Sequence, residues 1–166
     1  MIKNNMDKKR KDDFLWFALA LLICLGVGAL GSIFTAPAIS GWYASLIKPS
    51  FNPPNWLFSP VWTTLFILMG VALFLILRRP KNIQYRRQAV SLFIVQLFLN
   101  LLWSFFFFFL QNPGAALVEI AILWMAILLS LIYGAKVNRA VLWLLLPYLL
   151  WVSFASFLNY SIWALN

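Results

Sequence analysis

The sequence predicts an all-α membrane protein, a bundle of five transmembrane helices with a Trp- and Pro-rich first loop. Three observations lead there. The chain is 64% hydrophobic and only 10% charged over 166 residues, with a mean hydropathy of +0.89, far too apolar for a soluble domain of this length. Its apolar residues fall into five runs, each close to the roughly 20 residues needed to cross a bilayer. Its Lys and Arg residues alternate with those runs: 12 lie at one set of ends and 1 at the other, as expected when positive residues stay on the cytoplasmic side.

Residues 1–13 read as a polar basic tail, with Lys3, Lys8, Lys9, Arg10 and Lys11 against Asp7, Asp12 and Asp13. Residues 14–166 read as a single transmembrane domain. The first span, about 14–35, is preceded by positive charge and followed by Ala36-Pro37-Ala38, a pattern that imitates a cleavable secretory signal. A signal core is only roughly 7 to 15 residues, so the run is expected to be a retained helix. Cys24, Gly28, Ser32 and Thr35 fall at helical spacing along it and form a small-residue face suited to close helix packing, within the chain or between two copies.

Between the first two spans lies Trp42 to Gly70, which carries four of the eight prolines and three of the nine tryptophans. A simple connection needs nothing of the kind. The second span is expected over about 60–77, opening on Pro60, since a proline at a helix start lacks only an N–H that would be unbonded there anyway. Trp62, Phe66, Met69 and Leu73 share one of its faces.

The third span, about 89–110, places Gln96, Asn100, Trp103 and Phe107 on one stripe and ends in five consecutive phenylalanines. Unsatisfied amides in hydrocarbon cost several kcal/mol, so this stripe is expected to face the bundle interior. Gln111, Asn112, Pro113 and Gly114 make a tight turn into the fourth span, about 115–135, which contains Glu119, the only acid outside the tail. Glu119 is expected near the outer interface, reaching water or pairing with Lys48. The fifth span, about 141–163, aligns Tyr148, Val152, Ala155 and Asn159, with Trp151 beside them. Charge places the N-terminus and basic loops inside, and the Trp/Pro loop and C-terminus outside.

Composition also excludes chemistry. With no histidine and one cysteine, histidine triads, histidine-ligated haem and thiolate metal clusters cannot form, and a lone intramembrane acid offers no carboxylate pair. Metal sites and a resident cofactor are therefore not expected. The basic residues are scattered among apolar runs rather than gathered on one face, which argues against nucleic acid. What remains is an aromatic and amide set on three helices: Trp62, Asn100, Trp103, Trp151 and Ala155. Such stripes commonly serve packing or interfacial belts, yet flat walls, a few polar groups and a small alanine also suit a planar ligand. Lys48, alone on the outer side, is a candidate to attract acidic groups at a pocket mouth.

WYASLIKPSFNPPNWLFSPVWTTLFILMG from Trp42, QLFLNLLWSFFFF from Gln96 and LLPYLLWVSFASFLNYSIWALN from Leu145 resemble the translocator protein family, also called tryptophan-rich sensory proteins or peripheral-type benzodiazepine receptors. The resemblance covers nearly everything from the first span onward. It implies a five-helix bundle, usually a homodimer, that binds porphyrins such as protoporphyrin IX in a pocket capped by the first loop. By motif, the ligand-binding positions would be Trp42, Tyr43, Pro53, Trp62, Asn100, Trp103, Trp151 and Ala155. Some relatives degrade porphyrin in light, with the positions of Trp62 and Trp151 implicated. The sterol motif of animal members needs a basic residue soon after the tyrosine, whereas Tyr160 is followed by none. The expected role is sensory, scavenging or regulatory, with porphyrin transport or light-dependent porphyrin degradation as alternatives.

Overall fold

The computed structural model describes residues 2–166, with side chains from Arg10 onward, so Lys3, Asp7, Lys8 and Lys9 of the polar tail lie outside the described side chains. Six α-helices follow in order: α1 Ile2–Ile39, α2 Trp42–Ser45, α3 Asn55–Leu77, α4 Arg86–Ser104, α5 Pro113–Val137 and α6 Ala140–Leu165. All but the four-residue α2 are long and apolar enough to cross a membrane. No strand occurs among the described residues.

The five long helices close into a ring. Helix α1 packs on α3, α3 on α6, α6 on α5, α5 on α4, and α4 returns to α1. Close approach between α1 and α3 is secured by glycine: a Cβ at Gly70 would stand 3.0 Å from the Leu21 Cα, and one at Gly28 would stand 2.6 Å from the Phe66 ring. Toward the basic end of the bundle, Met69, Leu73, Ile76, Phe93, Ile127 and Leu145 form a fully buried core. At the basic end, Lys136 sits over the rings of Tyr85 and Tyr133, 4.6 and 4.9 Å from their centroids, and Arg78 pairs with Asp13 at 3.5 Å.

Several boundaries differ from the sequence reading. Helix α1 runs past Pro37 to Ile39, because one further turn buries Ala38 against Tyr43, Phe107 and Phe108. Helix α3 starts at Asn55, five residues before Pro60, so Pro60 lies inside it. The fixed φ of Pro54 (−62°, with ψ 141°) sets the extended entry, and the Leu57 N–H bonds the Pro54 carbonyl at 2.9 Å. The third span does not end as a regular α-helix: Phe105–Phe109 form a π-turn, closed by Leu110 N–H to the Phe105 carbonyl at 2.9 Å. Wider winding sets two successive rings, Phe107 and Phe108, inward together. Asn112 then caps α5, its side-chain oxygen accepting from the Ala115 N–H at 3.0 Å, with Pro113 in the first turn.

Candidate functional site

In the half of the bundle nearest α2, the ring of helices encloses a cavity of about 520 Å³, within the roughly 300–1,000 Å³ of typical small-molecule sites. Four long helices line it, and α5 does not. Trp62 and Phe66 come from α3, Asn100 and Trp103 from α4, Phe107 and Phe108 from the π-turn, and Trp151, Ala155 and Asn159 from α6. Tyr43 of α2 closes the near end.

The sequence-derived stripe of α4 does turn inward. Gln96 and Asn100 are 1% and 5% exposed. The Asn100 amide donates to the Tyr148 hydroxyl at 2.9 Å, and the Trp103 indole donates to the Asn159 side-chain oxygen at 3.1 Å. Asn159 in turn donates to the Pro113 carbonyl at 2.8 Å, so one side chain ties α4, α5 and α6 together. The Trp62 ring meets Tyr148 edge-on at 6.2 Å, Trp103 stacks on Phe107 at 5.2 Å, and Trp151 meets Phe58 edge-on at 6.1 Å. Each of the three indole walls thus meets another aromatic ring, and Trp103 is hydrogen-bonded as well. Trp151 differs at its polar atom: its Nε1 is buried and has no hydrogen-bond partner.

Six of the nine candidate positions therefore share one cavity: Tyr43, Trp62, Asn100, Trp103, Trp151 and Ala155. Three stand apart. Trp42 packs edge-on behind Phe107 at 5.6 Å, Pro53 lies in the loop with its carbonyl accepting from Asn52 at 2.9 Å, and Lys48 is turned back on its own loop. The Lys48 ammonium donates to the Ala44 and Leu46 carbonyls, both at 3.2 Å, and sits over the Tyr43 ring. Its pairing with Glu119 does not occur, since the only ion pair among the described residues joins Arg78 and Asp13. Glu119 does not reach water either. It shares the packed face of α5 with Ala116, Ile120 and Leu123, is 6% exposed, and neither carboxyl oxygen has a hydrogen-bond partner.

The loop between α2 and α3 is held from both sides. The Tyr43 hydroxyl donates to the Asn52 side-chain oxygen at 2.8 Å, and burial pushes the phenol pKa up to about 12, opposed by that hydrogen bond. At the other side, Asn166 accepts from the Ile47 N–H and donates to the Ile47 carbonyl, both at 3.0 Å, while Phe51 stacks on Phe157 at 5.1 Å.

Sequence reasoning did not assign the α1 wall to the site. Gly28, Ser32 and Thr35, read there as a packing face within the chain or between two copies, line the cavity together with Gly31, and so do Ser59 and Thr63 of α3. Their helical spacing was visible, but small residues announce a close approach without saying whether a helix or an empty space lies opposite.

Comparison with known proteins agrees with this architecture. The model of the TspO/MBR family matches residues 20–164. The chain is 49% identical over 152 residues to a tryptophan-rich protein TspO of Chlorobaculum tepidum, covering 92% of this chain and 96% of that one. It is 45% identical over 154 residues to the protein of the same name from Archaeoglobus fulgidus, covering 93% and 99%. The translocator protein of Homo sapiens is 35% identical over 140 residues, covering 82% of each chain. With five membrane-crossing helices and these matches along nearly its full length, the chain is an integral multi-pass membrane protein that belongs to the TspO/MBR family.

Proposed function

We propose that the protein binds a planar, largely apolar tetrapyrrole such as protoporphyrin IX in the cavity between α1, α3, α4 and α6, in a sensory, scavenging or regulatory role. One observation carries this reading. Three indole walls, Trp62, Trp103 and Trp151, line a single cavity of about 520 Å³, and the Trp151 N–H is buried without a partner. Flat apolar walls favour stacking on a macrocycle. An orphan donor in a dry site gains free energy from an acceptor that a ligand brings. The absence of histidine leaves no imidazole for haem iron, so the metal-free macrocycle suits the site better. Lys48 is committed to loop carbonyls and has no part in this reading.

Titration of the purified protein with protoporphyrin IX, followed by tryptophan fluorescence, tests it. Saturable quenching that weakens in Trp151→Phe supports the assignment. Quenching that is linear in porphyrin, or identical in the variant, rejects it.

A further inference from the structure

The cavity is not open evenly. Its walls on α4 and α6 are buried or half-buried throughout, including Asn100, Phe107, Leu158 and Ile162. Every exposed lining residue belongs to α1 or α3. On α1 these are Leu25, Ala29, Ser32 and Ala36, one stripe at i, i+4, i+7 and i+11; on α3 they are Asn55, Ser59 and Thr63, at i, i+4 and i+8. Two edges of mainly small side chains thus face each other along about 16 Å of α1 and about 12 Å of α3. Below the slot the two helices come together at Gly70, where Leu21 fills the gap. Both edges lie within membrane-crossing segments, Arg10–Ile39 and Asn55–Leu77, so the slot faces hydrocarbon over most of its length. The loop is held in place by contrast: Tyr43 is buried at the end of the cavity and the loop is tied down through Asn52, Ile47 and Asn166.

We infer that the slot between α1 and α3 is a lateral portal, through which an apolar ligand passes between the bilayer and the cavity without leaving through the loop. The ligand's identity rests on the reading above; the portal itself does not. Narrow residues at Ala29, Ser32, Ser59 and Thr63 set its width, and Leu25 marks its inner limit. A membrane-dissolved ligand needs no aqueous step on this route, which suits a macrocycle that partitions into lipid.

A bilayer-dissolved aryl diazirine, activated by light in proteoliposomes, reads the portal independently of any porphyrin. Carbene adducts are expected on Leu158 and Phe107 of the far wall, as well as on lipid-facing Trp143, and not on the buried core residue Phe93. In the double variant Ala29→Phe/Thr63→Phe the far-wall adducts should drop at least about fivefold while those on Trp143 stay constant, because bulk added at both edges fills the gap. Leu25→Ala should raise them. No far-wall adducts in the unaltered protein, or equal adducts in the plugged variant, would overturn the portal. A second arm follows protoporphyrin IX: the plugged variant should slow binding by about tenfold, and Asn166→Ala, which frees the loop, should leave the rates of binding and release within about twofold. Faster exchange in Asn166→Ala with normal exchange in the plugged variant would move the route to the loop. Far-wall adducts without saturable porphyrin quenching would sink the ligand assignment and leave the portal standing.

Discussion

The Asn100 amide donates to the Tyr148 hydroxyl across 2.9 Å, joining α4 to α6 directly beneath the candidate site. Asn100 lines the cavity, and Tyr148, fully buried, holds Trp62 edge-on. The pair thus links two walls of the cavity through one polar contact. Tyr148→Phe leaves the amide unpaired, which costs about 1–3 kcal/mol in a dry environment, although interhelical hydrogen bonds in a membrane protein have averaged only about 0.6 kcal/mol by double-mutant cycles. The expected loss lies between these values. Unfolding of Tyr148→Phe, Asn100→Leu and the double variant in detergent measures it, and strict additivity would show that the bond is not energetically coupled.

Trp151→Phe should separate stability from binding. Its indole N–H is buried without a partner, so removing that group takes away an unfavourable desolvation while keeping an aromatic ring in place. Stability is expected to stay within about 1 kcal/mol of the original, the lost ring volume offsetting the relieved donor. Affinity for protoporphyrin IX should fall by roughly fivefold, the equivalent of one modest hydrogen bond of about 1 kcal/mol. A fall in stability with unchanged affinity would make Trp151 a packing residue only.

Gly70 and Gly28 give opposite tests of the α1–α3 contact. A methyl at Gly70 would stand 2.7 Å from the Leu21 Cδ2 and 3.0 Å from its Cα. Backbone cannot move aside cheaply, so Gly70→Ala should destabilise by about 1–3 kcal/mol. A methyl at Gly28 meets only the ring of Phe66, which borders the cavity and has free space on that side. Gly28→Ala should therefore lower ligand affinity more than thermal stability. Melting of both variants beside porphyrin titration checks the pair, and equal destabilisation would remove the distinction.

Much of this was legible in the chain. Span count followed from length and hydropathy, and the inward stripe of Gln96, Asn100, Trp103 and Phe107 followed from the cost of an amide in lipid. The six positions gathered at the cavity came from four helices, α2, α3, α4 and α6, three of them distant in sequence, whereas Trp42, Pro53 and Lys48 stayed outside it. Other features were hidden because they depend on tertiary partners. Helical periodicity alone does not reveal that five phenylalanines wind as a π-turn, since only packing against Tyr43, Trp103 and Phe34 rewards it. Nor does it reveal that Lys48 spends its charge on loop carbonyls. The helix start at Asn55 was obscured by Pro60, whose position inside α3 is tolerated although it removes one backbone donor.

The loop should loosen in strong base. The Tyr43 phenol, raised by burial from 10.0 to about 12, stays protonated and donates to Asn52 throughout the neutral range. Since the folded pKa is the higher one, its contribution is fully present below pH 10.0 and is lost as pH rises through about 12. Hydrogen exchange or limited proteolysis of residues 46–54 should accelerate over that window. In Tyr43→Phe this step should vanish and the loop should be looser already at neutral pH. An identical rise in both proteins would assign the transition to another group.

Glu119 separates a structural role from a residue kept for another reason. Its carboxyl is 6% exposed on the packed face of α5, and neither oxygen is hydrogen-bonded. Polar groups buried in this way cost free energy, whichever protonation state they hold. Replacement by leucine, similar in length and without polar atoms, should then be neutral or stabilising by about 1–3 kcal/mol. Glu119→Gln keeps the polar burden and should give little gain. Unfolding of both variants in detergent decides between the two possibilities. A loss of stability in Glu119→Leu would mean that the carboxyl has a favourable partner in the bilayer-embedded protein, and the unsatisfied site would have to be reinterpreted around it.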